Sequence, residues 1–228
     1  MSEEVGSTTV LLVGALLIRL SVTGAYARYV RVGMGSWLLV AGILLAVLGL
    51  LGVFRALRGP RGHHDHHEHG GERVGWLLLA PVVALLMVTP PALGSYGVDR
   101  STVVSVSSGG RTFASLPAGA AVPMTLLEYD ERAADHAGAS FGTTPVRLTG
   151  FVARTGDGDG FRLARYQIQC CAADAVAAVV RVVGVTGTPP GLDTWVTVTG
   201  TFRASSDGIP ELFVTDLATT PPPTDPYE

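Results

Sequence analysis

The chain contains only two cysteines, Cys170 and Cys171, which are adjacent in sequence and are followed by Asp174. Thiolates, carboxylates and imidazoles are the usual protein ligands of zinc and of related divalent transition metals. Glu128 and His136, the only histidine after residue 69, are further candidate ligands for the same site. These residue types predict a mixed metal site in the second half of the chain, for zinc or another divalent transition metal.

Other interpretations of the cysteine pair stay open in the sequence. Neighbouring side chains of a strand point to opposite faces, so Cys170 and Cys171 reach one ion only where the strand bends or ends. In an uninterrupted strand, Cys170 is instead a small buried core residue, as free cysteines often are. The two thiols can also form a redox sensor that responds to oxidants. A disulfide between them is disfavoured, because it would strain the peptide that joins the two residues. Ordinary bridges need Cα atoms about 4.4–6.8 Å apart and a relaxed dihedral angle.

A second group of metal-ligating residues lies in the segment 59–72, GPRGHHDHHEHGGE. Neutral imidazole is the commonest protein ligand of zinc, copper and nickel, and the neighbouring carboxylates can complete a coordination shell. The flanking glycines make the segment flexible, which predicts weak and poorly selective metal capture. The alternative is a polar, low-complexity connector. The five histidines of this loop are His63, His64, His66, His67 and His69.

Three apolar stretches in residues 1–97 predict three transmembrane helices, at about residues 9–26, 36–54 and 74–93. The second and third stretches contain no charged residue. The first carries Arg19 near its middle, where an arginine is costly in lipid. Its side chain is therefore expected either to face a protein interior or partner, or to extend to the membrane interface.

The arginines near these stretches predict an orientation in the membrane. Four arginines lie between residues 55 and 73, whereas Arg28, Arg31 and Arg100 lie on the opposite side of the membrane. Because cytoplasmic loops carry the excess of arginine, the first side is expected to be cytoplasmic. The chain is thus predicted to be a multi-pass protein of the plasma membrane whose C-terminal domain is extracytoplasmic.

After residue 97 the composition is that of a soluble domain. Residues 98–144 are expected to form a connecting segment, with a short strand at 98–107 and a helix at 125–140. Residues 145–219 contain five strand-like segments separated by turn sequences, which predict an all-β, OB-like barrel. Residues 220–228 are proline-rich and predict an extended tail.

The predicted strands alternate with clear turn signals. Gly150 and Gly200 lie inside two of them, where a strand must bend. The sequence TGDGDG at 155–160 is interpreted as a hairpin turn, because the further oxygen ligands and the distal glutamate of a calcium-binding loop are missing. The five strands are predicted at residues 146–154, 161–171, 175–185, 195–202 and 211–217.

Charge and residue pairing argue against two functional classes. Residues 99–228 contain nine arginines, no lysine and fourteen acidic residues, whereas nucleic-acid binding depends on basic residues that neutralise phosphates. No nucleic-acid partner is therefore expected. A catalytic thiol needs a base beside it, and no sequence feature places His136 next to the cysteines. The chain is accordingly not predicted to be an enzyme.

Several segments resemble an uncharacterised family of bacterial membrane proteins, which have N-terminal spans and a C-terminal domain of unknown function. The segments are GFV at 150–152, RYQIQCCAADA at 165–175, WVTVTG at 195–200 and the closing PPPTDPY. The second segment carries the family's pattern R-x-x-I-x-C-C-x-A-D-A. Gly150 and Trp195 also match the family, at positions expected to maintain the fold. The characteristic positions of the pattern are Arg165, Cys170, Cys171 and Asp174.

The resemblance implies a membrane-anchored accessory subunit of a permease, because genes of this family usually neighbour that of a multi-span permease. It implies no reaction, since the family has no settled one. The expected function is an accessory subunit that handles a transition metal of the zinc type. The alternatives are a redox or ligand-sensing membrane module that uses Cys170 and Cys171, and a structural scaffold for the permease. The expected partners are the permease and membrane lipid.

Overall fold

The chain forms two compact units, Met1–Pro91 and Ala92–Glu228. Most of the predicted third span, the histidine-rich loop and the strand predicted at 98–107 lie outside the described residues. A computed structural model describes residues 2–58, 83, 84, 87, 91–98, 112–157, 160–205 and 208–228.

The described part of the first unit consists mainly of two long apolar helices, joined through two short 3-10 segments, Ala25–Arg28 and Val32–Met34. Helix α1 spans Ser2–Thr23 and helix α2 spans Gly35–Arg58. Their most apolar regions have mean hydropathies of 1.6 and 2.7, and both are long enough to cross a membrane. A helix of 22 residues is about 33 Å long, compared with about 30 Å for the hydrocarbon core of a bilayer. Two of the three predicted spans therefore correspond to helices of suitable length and composition.

Glycines allow helices α1 and α2 to approach each other closely. A β-carbon added at Gly14 would lie 2.5 Å from the backbone nitrogen of Ala46. One added at Gly49 would lie 2.5 Å from the backbone nitrogen of Leu11. Small residues have this role between membrane helices, where packing replaces the hydrophobic effect as the source of association.

Arg19 lies on α1 four residues before the end of the helix at Thr23, and it is exposed. At about 1.5 Å of rise per residue, the arginine is about 6 Å from the helix end. Arg19 therefore lies nearer the C-terminal end of α1 than its middle, because the helix begins at Ser2 and ends earlier than the predicted stretch.

The second unit is built around a closed five-stranded barrel, which confirms the prediction of an all-β C-terminal domain. Strand β2 pairs with both β3 and β5, β3 pairs with β4, β4 runs parallel to β6, and β6 pairs with β5 to close the barrel. The short β1 adds to β2 in parallel. The strands are β1 Val122–Pro123, β2 Val146–Asp157, β3 Gly160–Gln167, β4 Val176–Val183, β5 Trp195–Arg203 and β6 Glu211–Thr219.

Strand β2 changes partner near its middle, since its first half pairs with β5 and its second half with β3. Gly150 lies at this point, and an added β-carbon would be 2.7 Å from the carbonyl oxygen of Ala164. Gly200 lies at a register shift of the β5–β6 pair, and an added β-carbon there would be 2.2 Å from the carbonyl oxygen of Phe213. Both glycines permit backbone contacts that a side chain would prevent.

The short helix α4, Leu126–Ala134, packs against the barrel core. The one-turn helix α3, Ser95–Val98, precedes α4 in the chain. The Thr125 hydroxyl caps α4 by accepting a hydrogen bond from the Glu128 N–H at 3.0 Å. Leu126 and Tyr129 are fully buried against the barrel interior.

Helix α4 is shorter than the helix predicted at 125–140. Its successor, the 3-10 segment Asp135–Phe141, contains three consecutive residues with positive φ. These are His136, Ala137 and Gly138, with φ of 47°, 52° and 80°. Helix α4 ends at Ala134 because Asp135 has an extended backbone, and the left-handed residues after it cannot resume a right-handed helix.

Candidate functional site

Strand β3 ends at Gln167, four residues before the predicted end at Cys171. The cause is Asp174, whose carboxylate accepts the backbone N–H groups of Gln169, Cys170 and Cys171 at 2.9, 2.9 and 3.3 Å. An aspartate side chain that satisfies nearby backbone donors competes with the strand ladder. The chain consequently turns after β3 and resumes as β4 at Val176.

The turn brings both thiols and the carboxylate together. The sulfur atoms of Cys170 and Cys171 are 3.7 Å apart, and the Cys170 thiol donates a hydrogen bond to Asp174 Oδ2 at 2.9 Å. One ligand atom from each of the three residues lies within 4.8 Å of the other two. The bend that joint coordination requires is therefore present at the cysteine pair.

The two cysteines are not core residues. Cys170 is exposed, Cys171 is half-buried, and both are free thiols. The interpretation of Cys170 as a buried packing residue is therefore wrong, because β3 ends before the cysteines. Ile168 is the last core residue before the turn. The thiols lie on a turn between two strands, where an ion or another molecule can reach them.

The hydrogen bonds of the turn change the acidity of its groups. The thiol of Cys170, followed by the backbone N–H groups, lowers the pKa of Asp174 to about 2. The same bond to the carboxylate raises the pKa of the Cys170 thiol to about 11, with a smaller contribution from Cys171. The carboxylate is thus charged and the Cys170 thiol is protonated at neutral pH. A metal that binds here must displace the thiol proton.

A cleft of about 230 Å³ lies beside the turn. It is open to solvent and mostly apolar, and Asp174 is its only ionisable residue among those described. Leu127 of α4 forms part of its wall, so this helix and the turn border the same space. The other lining residues are Gln167, Ile168, Gln169, Val176, Ala177 and Ala178.

Arg165, the first residue of the sequence pattern R-x-x-I-x-C-C-x-A-D-A, does not contact the cysteines in the described structure but holds the C-terminal tail. Its guanidinium donates to the carbonyl oxygens of Asp225, Pro226 and Tyr227 at 2.9, 3.3 and 3.3 Å. It also lies 3.6 Å from the carboxylate of Glu228. The pattern therefore combines two structural elements, a tail anchor and a turn of metal-ligating groups.

The tail at residues 220–228 contains no helix or strand, and its last residues are packed against the barrel. Tyr227 is 4% exposed and belongs to a core cluster with Phe151 and Tyr166. The buried carboxylate of Glu228 accepts the N–H of Leu126 at 3.0 and 3.1 Å and so caps α4. Burial raises the pKa of Glu228, while the nearby guanidinium of Arg165 opposes this shift.

The other candidate ligands have different partners. Glu128 forms an ion pair with Arg132 at 2.9 Å, and His136 contacts the carboxylate of Asp135 at 2.5 Å. Neither residue belongs to the cysteine cluster in the described structure. The predicted ligands His63, His64, His66, His67 and His69 lie outside the described residues.

Comparison with known proteins supports the resemblance to an uncharacterised family. Residues 132–228 match the family model of the DUF1980 C-terminal domain. The matched segment includes β2 to β6, the complete pattern from Arg165 to Ala175 and the anchored tail. No curated protein and no solved structure is significantly similar to the chain.

Proposed function

We propose that this chain is a membrane-anchored accessory subunit of a permease and that its barrel domain binds a divalent transition metal of the zinc type. The metal ligands are Cys170, Cys171 and Asp174. The observation that carries this proposal is the convergence of their ligand atoms within 4.8 Å on one exposed turn. The two thiols lie outside the barrel core, whereas Asp174 also holds the turn through its bonds to backbone N–H groups.

The sulfur spacing supports a tetrahedral ion. Two thiolates that bind zinc at about 2.3 Å in a tetrahedron are about 3.8 Å apart. The observed distance between the Cys170 and Cys171 sulfur atoms is 3.7 Å. The Asp174 oxygen is closer to the Cys170 sulfur, at 2.9 Å, than the distance of about 3.6 Å expected in such a shell. The carboxylate therefore shifts by less than 1 Å when a metal replaces the thiol proton.

The membrane and permease parts of the proposal rest on other observations. Helices α1 and α2 have the length and composition of membrane spans, and the apolar sequence at 74–93 is the proposed third span. Three spans and the arginine distribution favour an extracytoplasmic C-terminal domain. The permease partner is inferred from the family resemblance. The closed five-stranded barrel supports the proposed OB-like class.

The redox-sensing alternative fits the turn less well. Sensor cysteines react as exposed thiolates with a lowered pKa, usually beside a cation or a helix N-terminus. The Cys170 thiol instead donates a hydrogen bond to the Asp174 carboxylate. This hydrogen bond stabilises the protonated thiol, which reacts slowly with oxidants.

The proposal is tested on the full-length protein in detergent. The five loop histidines are first replaced by glutamine so that zinc binding at the turn is measured alone. The loop variant is stripped of metal and titrated with zinc by calorimetry. We expect one bound zinc, and we expect Cys170→Ser combined with Cys171→Ser to abolish its binding.

A matched pair of carboxylate variants completes this test. Asp174→Asn removes a proposed ligand, whereas Asp216→Asn makes the same change at an exposed aspartate of β6. We expect the first variant to weaken zinc binding and the second to leave it unchanged. Equal zinc binding by the loop variant and its double serine derivative would refute the proposed metal site.

A further inference from the structure

We propose that the turn is a metal-transfer site, in which Cys170, Cys171 and Asp174 hold the ion and a second molecule supplies the fourth ligand. This inference rests on the proposed metal-binding function. It adds that the bound ion is exchangeable and is passed to or received from another molecule. A structural ion would instead be enclosed by four ligands of the chain.

The number of ligands is the first argument. Zinc sites that stabilise a fold are almost always closed, with four cysteine or histidine ligands. Among the described residues, the turn offers three ligand atoms within 4.8 Å, and the other two ligands that the sequence suggests, Glu128 and His136, are paired with Arg132 and Asp135. Within the part of the chain that the structure describes, a tetrahedral ion on this turn therefore retains one open position.

The position of the turn is the second argument. Cys170 is exposed and lies between the ends of β3 and β4, outside the barrel core. The Asp174 carboxylate already holds the turn together through three backbone hydrogen bonds. The fold of the turn therefore does not require a metal, and the ion can leave without local unfolding.

The adjacent cleft is the third argument, because its lining residues distinguish a metal-transfer site from a zinc site that catalyses hydrolysis. Catalytic zinc sites also keep an open position, but there a bound water is activated for reaction. Apart from Asp174, the described residues that line the cleft carry no ionisable side chain. Two of them, Gln167 and Gln169, are amides that cannot act as a base at neutral pH. An incoming ligand is thus the better-supported occupant of the fourth position.

Cobalt(II) is the probe for this inference, because its visible spectrum reports coordination number and its near-ultraviolet bands report thiolate ligation. The full-length protein with the five loop histidines replaced by glutamine is loaded with cobalt in detergent. Imidazole is then added as the external ligand. Before imidazole is added, we expect near-ultraviolet bands from thiolate ligation. As imidazole is added, the visible bands should change until the site is saturated, while the thiolate bands remain. The Cys170→Ser, Cys171→Ser derivative is the control and should show no such bands.

A second measurement uses zinc release to a chromophoric chelator. At an open site the chelator attacks the bound ion directly, so the release rate should rise in proportion to chelator concentration. Thiolate bands that do not respond to imidazole, with a release rate independent of chelator, would overturn the transfer site and leave metal binding intact. Absence of thiolate bands would overturn the metal-binding function itself, and the transfer role with it.

Discussion

Replacement of Arg165 by alanine tests the assigned role of the arginine in the family pattern. The side chain is 16% exposed and contacts four consecutive residues of the tail, through three carbonyl oxygens and the carboxylate of Glu228. The carboxylate is 4% exposed and caps α4. Removal of the arginine takes the cation away from a buried carboxylate and removes the guanidinium donor from three carbonyl groups.

The expected loss is worked from these contacts. A hydrogen bond to a charged group contributes about 1.5–3 kcal/mol, and only the bond to Asp225, at 2.9 Å, has a short distance. Loss of one partner of a buried ion pair costs about 3–5 kcal/mol. Since the ion pair with Glu228 is long, at 3.6 Å, we expect Arg165→Ala to lower the free energy of unfolding by about 3 kcal/mol. Arg165→Lys retains the charge but lacks the planar guanidinium with its several N–H donors. It should lower the free energy of unfolding by about half as much.

Urea unfolding followed by tryptophan fluorescence measures this effect. Trp195 lies 5.7 Å from the Arg165 guanidinium and packs against Phe151, so it reports on the barrel. Trp37 and Trp76 are replaced by phenylalanine to leave a single reporter. The control is Arg147→Ala, which removes an exposed arginine of β2 and should change stability by less than about 0.5 kcal/mol. Equal effects of Arg165→Ala and Arg147→Ala would refute the anchoring role.

Three further predictions concern the tail, the helices and the permease. Burial raises the pKa of Glu228 above 4.5, so the protonated side chain stabilises the fold at low pH, and this contribution is lost as the pH rises through the raised pKa. Glu228→Gln should remove this part of the pH dependence of the urea midpoint; an unchanged pH profile would contradict the assignment. Gly49→Leu places a side chain against the backbone of Leu11 and should destabilise the α1–α2 pair by about 1–3 kcal/mol, whereas Gly6→Leu enters open space and should have little effect on thermal unfolding. Equal melting temperatures for these two variants would rule out close helix packing. If the proposed permease partner is encoded beside this chain, the two proteins should co-purify in mild detergent, and repeated failure to do so would count against the proposed subunit role.

Local patterns in the sequence predict much of the barrel. Alternation of β-branched residues with turn sequences places all five barrel strands, and β5 illustrates the reason. Val196 and Val198 face the core while Thr197 and Thr199 are half-buried, which is the two-residue period of a strand. The closed pairing is less local, but short strands of this length bury their apolar faces well in a barrel.

The features that the sequence does not predict depend on contacts between distant residues or on backbone conformations with weak local signals. Arg165 and Glu228 meet across 63 positions, and no local pattern pairs them. The early end of β3 has a partial signal, because an aspartate a few residues after a strand often binds nearby backbone N–H groups. The left-handed residues after Ala134 include an alanine, for which this conformation is unfavourable, so helical composition predicts a longer helix.

X-ray absorption at the zinc edge tests the central claim most directly. The sample is the full-length protein with glutamine at the five histidine positions of the loop, loaded with one equivalent of zinc. We predict two sulfur neighbours at about 2.3 Å and oxygen or nitrogen neighbours at about 2.0–2.2 Å. A first shell that contains only oxygen and nitrogen would contradict zinc binding by Cys170 and Cys171.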